Sequence, residues 1–168
     1  ISFTFYKQKG LFEGREARDI YDLLGAIEHP HDHSRTAKVM LTRFFGINIR
    51  DLAKRSVDDS YLINLLHEWK VMAESRQFRK MFDQILLHTG IFERELFLSG
   101  DERSVTNYAH LFEILIRQVL ENHLDLHELS LLLKRFIDGK EDSGENGNLL
   151  RMESERNAVQ LMTIHASK

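Results

Sequence analysis

The sequence predicts a mainly α domain, a multi-helix body with short β-strands at both ends. Three observations predict it. Apolar residues recur at helical spacing through most of the middle of the chain, glycines and capping residues punctuate that period, and both ends are rich in β-forming residues. A chain of 168 residues, 42% apolar and 29% charged, fits one globular domain with end strands that belong elsewhere.

The elements follow in order. "ISFTFYK" alternates and reads as a short strand, which Gly10 breaks. "EGREARDIYDLLGAI" is helical, with Ala17, Ile20, Leu23, Leu24 and Ile27 on one face. The only proline, Pro30, closes it within "EHPHDH". "SRTAKVMLTRFF" predicts a helix that runs to Gly46, and "NIRDLAKR" one that starts on an Asn48 cap. In "DDSYLINLLHEWKVMA" the stripe is Leu62, Leu65, Leu66, Trp69 and Met72. "SRQFRKMFDQILLHTG" repeats it with Phe78, Met81, Phe82, Ile85 and Leu86, starting at Ser75 and stopping at Gly90. "SVTNYAHLFEILIRQVLEN" aligns Tyr108, Leu111, Phe112, Leu115 and Val119. "DLHELSLLLKRFIDG" opens with Asp125 and Glu128 at capping-box spacing and ends at Gly139. Met and aromatic residues at this spacing are core rather than a cofactor box. Residues 138–151 form an acidic loop without apolar period, after which "AVQLMTIH" returns to strand character. Strand, helices, acidic loop, strand is the plan of an insertion into another domain's sheet.

Composition narrows the function classes. With no cysteine, disulfides and thiolate metal sites are excluded, as suits a cytoplasmic protein. No apolar run reaches a membrane span of about 18 residues and no signal segment opens the chain, so no membrane partner is expected. The net charge of -3 gives no global case for nucleic acid. Locally, Arg35, Lys38, Arg43, Arg50, Lys54 and Arg55 face only Asp51 between Ser34 and Ser56, either a solvated helix face or a phosphate-attracting patch.

Few constellations could carry chemistry. His29, His31, His33 and Asp32 invite a metal reading, but alternating spacing suits ligands only on an extended segment and no second cluster completes a site. A polar turn is the reading, with no metal. There is no Gly-rich phosphate loop, no Gly-x-Ser-x-Gly and no His-Glu-x-x-His, so no catalytic residue is assigned. "TRFFGINIRDL" joins a helix end, Gly46 and a new helix N-terminus, flanked by Arg43 and Arg50. Such a turn grips a nucleic-acid backbone through N–H groups and guanidiniums, or is only a helix stop and a cap.

The terminal "VQLMTIHASK" resembles motif V of the UvrD-like superfamily 1 DNA helicases, matching at Thr163, Ile164, His165, Ser167 and Lys168. The Gly-Leu-Glu that continues the family pattern does not follow, so the stop at Lys168 is read as a cut inside the motif, and Ile1 in place of Met as a cut at the other end. Phe12, Glu13, Glu16, Ala17 and Asp19 look like the family's segment after motif IV. Gly100, Arg103, Thr106, Asn107, His110, Leu111 and Glu113, with Met152, Glu153 and Ser154, are similar to RecB-like chains, the β subunit of exodeoxyribonuclease V.

The resemblance implies a helical accessory domain, called 2B, at residues 10–156, inserted into the second RecA-like motor domain of an ATP-dependent helicase–nuclease of double-strand break repair. Residues 1–9 and 157–168 would then be motor strands, the latter carrying motif V. It also implies DNA-side roles for Thr163 and His165, and a duplex contact at Gly46, Ile47 and Asn48, where Asn48 replaces the second Gly of the Gly-Ile-Gly turn in UvrD-type relatives. Arg43 and Arg50 join that contact as candidates. Its partners would be DNA and the other subunits of a RecBCD-like complex. ATP and Mg²⁺ would serve the parent enzyme, with no cofactor in this piece, which is expected to be inactive alone. The domain would contribute DNA guidance or motor regulation; the alternative is a structural or partner-subunit interaction module of an AddA- or UvrD-type helicase without direct DNA contact.

Overall fold

The computed structural model describes residues 3–5, 10–53, 59–99, 102–140 and 159–161, and within them the chain is mainly α. Helix α1 (Arg15–Glu28) is preceded by a 3₁₀ turn (Leu11–Glu13), and Ile20, Leu23, Leu24 and Ile27 on its apolar stripe are wholly buried. The N-terminus of α1 has no side-chain cap, so packing must hold it. Each such side chain removed from water contributes about 1.5–3 kcal/mol, against about 1 for a cap. Its neighbours are α2 (His33–Met40), α4 (Asp59–Glu74), α7 (Glu102–Asn122) and α8 (Leu126–Ile137). Short α3 (Ile49–Ala53) follows the Gly46 turn. Helix α5 (Phe78–Thr89) leads through Gly90, at φ 56°, into α6 (Ile91–Arg94) and a π turn (Glu95–Ser99). One core runs through all of this, with Trp69 and Tyr108 among its largest buried side chains.

The expected stripes are buried, except that Met72 and Leu86 lie at the edge of the core. Two boundaries are corrected. Helix α5 starts at Phe78 rather than Ser75, because Arg76 takes a left-handed φ of 59° and Gln77 N–H bonds back to Met72 O at 2.8 Å. Helix α2 stops at Met40 instead of running to Gly46. There the ladder gives way to Thr42, whose hydroxyl and N–H both donate to Val39 O, at 2.6 and 3.0 Å.

The capping box of α8 is present: Asp125 Oδ1 accepts from Glu128 N, and Glu128 Oε2 from Asp125 N, both at 2.8 Å. Replacing Asp125 by Ala is expected to lower stability by about 1 kcal/mol, read as a shift in the denaturation midpoint.

At the chain ends, β1 (Phe3–Phe5) and β2 (Val159–Leu161) pair in parallel, with Phe3 opposite Val159 and Phe5 opposite Leu161. A parallel pair requires a crossover connection, and the helical body occupies that place in sequence. Thr163, His165 and the acidic loop beyond Lys140 lie outside the described residues. Among the described residues no helix is long and apolar enough to cross a membrane.

Candidate nucleic-acid interface at the Gly46 turn

The turn between α2 and α3 is built from its backbone outward. Gly46 has φ 64°, a left-handed conformation that costs glycine little, and its N–H donates to Thr42 O at 2.8 Å. Ile47 N–H reaches back to Met40 O at 3.0 Å, and its side chain packs on the core edge. Asn48 caps α3: its Oδ1 accepts from Asp51 N at 2.9 Å, and its Nδ2 contacts the Asp51 carboxylate. Phe44 plugs the turn into the core beside the rings of Tyr108 and Phe112. Gly46, Asn48, Ile49 and Arg50 are left on the surface.

Two residues without a sequence signal hold this turn from behind. Arg94 Nη1 donates to Arg43 O at 2.8 Å and to Phe44 O at 2.6 Å, while its Nη2 donates to Thr89 O at 3.0 Å. The first two carbonyls lie past the end of α2, where no helix ladder pairs them. Glu95 is wholly buried and takes Arg43 Nη1 at 3.1 Å on Oε1, with Arg15 Nη2 at 3.8 Å from Oε2. Arg43 is therefore anchored at one end of its guanidinium and partly open at the other. A charged residue within "IFERELFLSG" marks Glu95 only weakly, since its arginine partners are far away in sequence.

The stretches that resemble the helicase family meet in space. On α1, Glu16 accepts from Ser104 Oγ at 2.8 Å and Asn107 Nδ2 at 3.4 Å, both on α7. Asp19 accepts from Tyr108 Oη at 2.8 Å and from Arg43 N–H at 3.3 Å. Burial pushes the Asp19 carboxyl above its ordinary value of 3.8, against the lowering pull of the Tyr108 hydroxyl and the Arg43 amide. Burial and the adjacent Asp19 raise Tyr108 as well, keeping it a neutral donor. A raised carboxyl stabilises the fold below the unfolded value, and that contribution is lost as pH rises through the folded value. Asp19→Asn is therefore expected to gain on wild type in urea titrations as pH rises above the ordinary carboxyl value of 3.8. A difference that shrinks with pH would contradict the burial argument.

The remaining candidates sort plainly. Much of the basic stretch is engaged: Lys38 pairs with Asp22 at 2.7 Å, Arg35 with Asp32 at 3.4 Å, and Arg43 with Glu95. Arg50 is exposed and has no ion pair among the described residues; Lys54 and Arg55 lie outside them. Asp32 of the histidine cluster is the N-cap of α2, accepting from Ser34 N at 2.9 Å and Arg35 N at 3.2 Å. Among the described residues no group of His, Cys, Asp and Glu could hold a metal ion.

Fold and turn together define a helical domain with arginines at a surface turn. An ATP-dependent helicase/nuclease chain of Exiguobacterium sibiricum is 25% identical over 95% of this chain, and the RecBCD enzyme subunit RecB of Escherichia coli is 27% identical over 94%. The RecB subunit of Haemophilus influenzae is 29% identical over 96%. The likeness to RecB-type helicase–nuclease subunits thus covers nearly the whole chain, whereas the chain spans 13% to 15% of those relatives' length. No family profile matches the chain.

Proposed function

We propose that residues 10–156 are the 2B-type accessory domain of a RecB-like ATP-dependent helicase–nuclease of double-strand break repair, and that residues 1–9 and 157–168 are strands of its motor domain. The observation that carries this reading is likeness to helicase/nuclease subunits over 94% or more of the chain. The parallel pairing of β1 with β2 supports it, because an inserted domain must leave and re-enter its host sheet at neighbouring points. In the parent, ATP and Mg²⁺ would power unwinding in the cytoplasm beside other subunits, with Thr163 and His165 on the DNA side of motif V.

Within that role the Gly46 turn would meet the duplex backbone, with Arg50 as its exposed cation and Arg43 as its anchored one. Counterion release makes such binding salt-dependent. A short blunt duplex titrated at about 50 mM and about 200 mM salt should bind wild type more tightly at the lower salt, and Arg50→Glu several-fold more weakly. Absence of duplex binding by wild type at low salt would overturn the DNA-contact reading. The second reading, a subunit-docking module, is favoured by Phe97, which is 83% exposed on the π turn next to Glu95. Leu96 beside it is 43% exposed, so the two make an apolar spot of the kind enriched at protein interfaces rather than a lone side chain.

A further inference from the structure

The carboxylate of Glu95 is 0% exposed, yet the two guanidiniums beside it lie at the surface, Arg43 at 40% and Arg15 at 48% side-chain exposure. Arg15 opens α1 and Arg43 lies in the Gly46 turn, so the fold brings two distant arginines to one anion. One carboxylate neutralises one of them, which leaves a positive charge on the outer side of the trio. Glu16 and Asp19 are buried and have donors of their own, Ser104 and Asn107 for Glu16, Tyr108 and the Arg43 amide for Asp19, whereas Glu13 and Glu93 lie on the surface. Glu16, Asp19 and Glu95 are thus buried behind two guanidiniums that reach the surface. Each guanidinium carries five donors in a planar fork, and the contact with Glu95 uses few of them. Because both heads sit against the same carboxylate, they are near enough to share one phosphate or grip two consecutive ones. Arginine suits that geometry because its fork matches phosphate oxygens in pairs.

We propose that Arg15 and Arg43, held by the buried Glu95, form a phosphate clamp for the sugar–phosphate backbone of duplex DNA, continuous with the Gly46 turn. The proposal rests on the reading that this turn meets DNA and adds Arg15, which no family motif marks. Arg15 is the informative position, since Arg43 stays on Glu95 when Arg15 is changed.

The test titrates wild type, Arg15→Gln, Arg15→Lys and Arg50→Glu with the same duplex across a salt series, with thermal melts alongside. Arg15→Gln should weaken binding roughly three- to tenfold at low salt and reduce the slope of log K against log salt by about 0.9, while lowering the melting temperature only slightly, well short of unfolding at the assay temperature. Arg15→Lys should restore the slope, which a purely structural role would not predict. Wild-type affinity and slope in Arg15→Gln, together with weakened Arg50→Glu, would overturn the clamp and leave the DNA reading standing. No duplex binding by wild type would remove both. Inorganic triphosphate is the second probe: saturable binding of it without duplex binding would place a small phosphate at the arginines and overturn the duplex assignment.

Discussion

Replacing Arg43 by Ala is expected to lower the unfolding free energy by about 3 kcal/mol, the low end of the range for breaking a buried ion pair. The cost arises on the partner rather than on Arg43 itself. Glu95 is 0% exposed, so losing the guanidinium 3.1 Å away removes a charged donor that offsets the desolvation of its carboxylate. Arg15, at 3.8 Å, compensates only in part, and its half-exposed head is screened by water. Adding Glu95→Gln to Arg43→Ala removes the buried charge that Arg43 helps to offset while keeping the side chain's shape. The double variant should recover about 1–2 kcal/mol of the loss. Urea denaturation of the two singles and the double closes the cycle. A single-mutant loss below about 1 kcal/mol, or strict additivity, would mean that Glu95 does not depend on Arg43.

The same pair shows where sequence reasoning succeeds and where it stops. Helices α1, α4, α5, α7 and α8 were legible because their apolar positions repeat with the helical period, a property each helix carries by itself. The Asn48 cap and the Asp125–Glu128 box were legible for the same reason, with both partners within three residues. The end of α2 at Met40 was not. It depends on residues of other helices: Asp19 takes the Arg43 N–H that a longer α2 would have paired with Val39 O, and Arg94 pins the Arg43 and Phe44 carbonyls beyond the helix end. Nor was Glu95 legible as an anchor, since nothing in "ERELF" says that arginines at positions 15 and 43 will converge on it. Resemblance marked Glu16, Asp19 and Asn107 without a reason; their hydrogen bonds across the α1–α7 interface supply one. In this structure those three residues are engaged inside the α1–α7 interface.

Phe44→Ala is the other change with a large expected effect, and it tests whether the turn is held by the core. Phe44 is 0% exposed, with its ring centroid 5.4 Å from that of Tyr108 and 6.4 Å from that of Phe112. Truncation removes a buried ring and leaves a cavity between a loop and α7, a loss of about 3–5 kcal/mol. The site feels it as well, because the Phe44 carbonyl accepts from Arg94 at 2.6 Å and the neighbouring Arg43 carbonyl at 2.8 Å. A turn that is no longer pinned at Phe44 can slide away from both bonds. Phe44→Leu keeps most of the apolar volume and should cost about 1.5 kcal/mol or less. Amide exchange at Phe45, Gly46 and Ile47 should then accelerate strongly in the Ala variant and little in the Leu variant. Equal protection in both, with Phe44→Ala destabilised, would show that Arg94 alone holds the turn and that the aromatic plug serves only global stability.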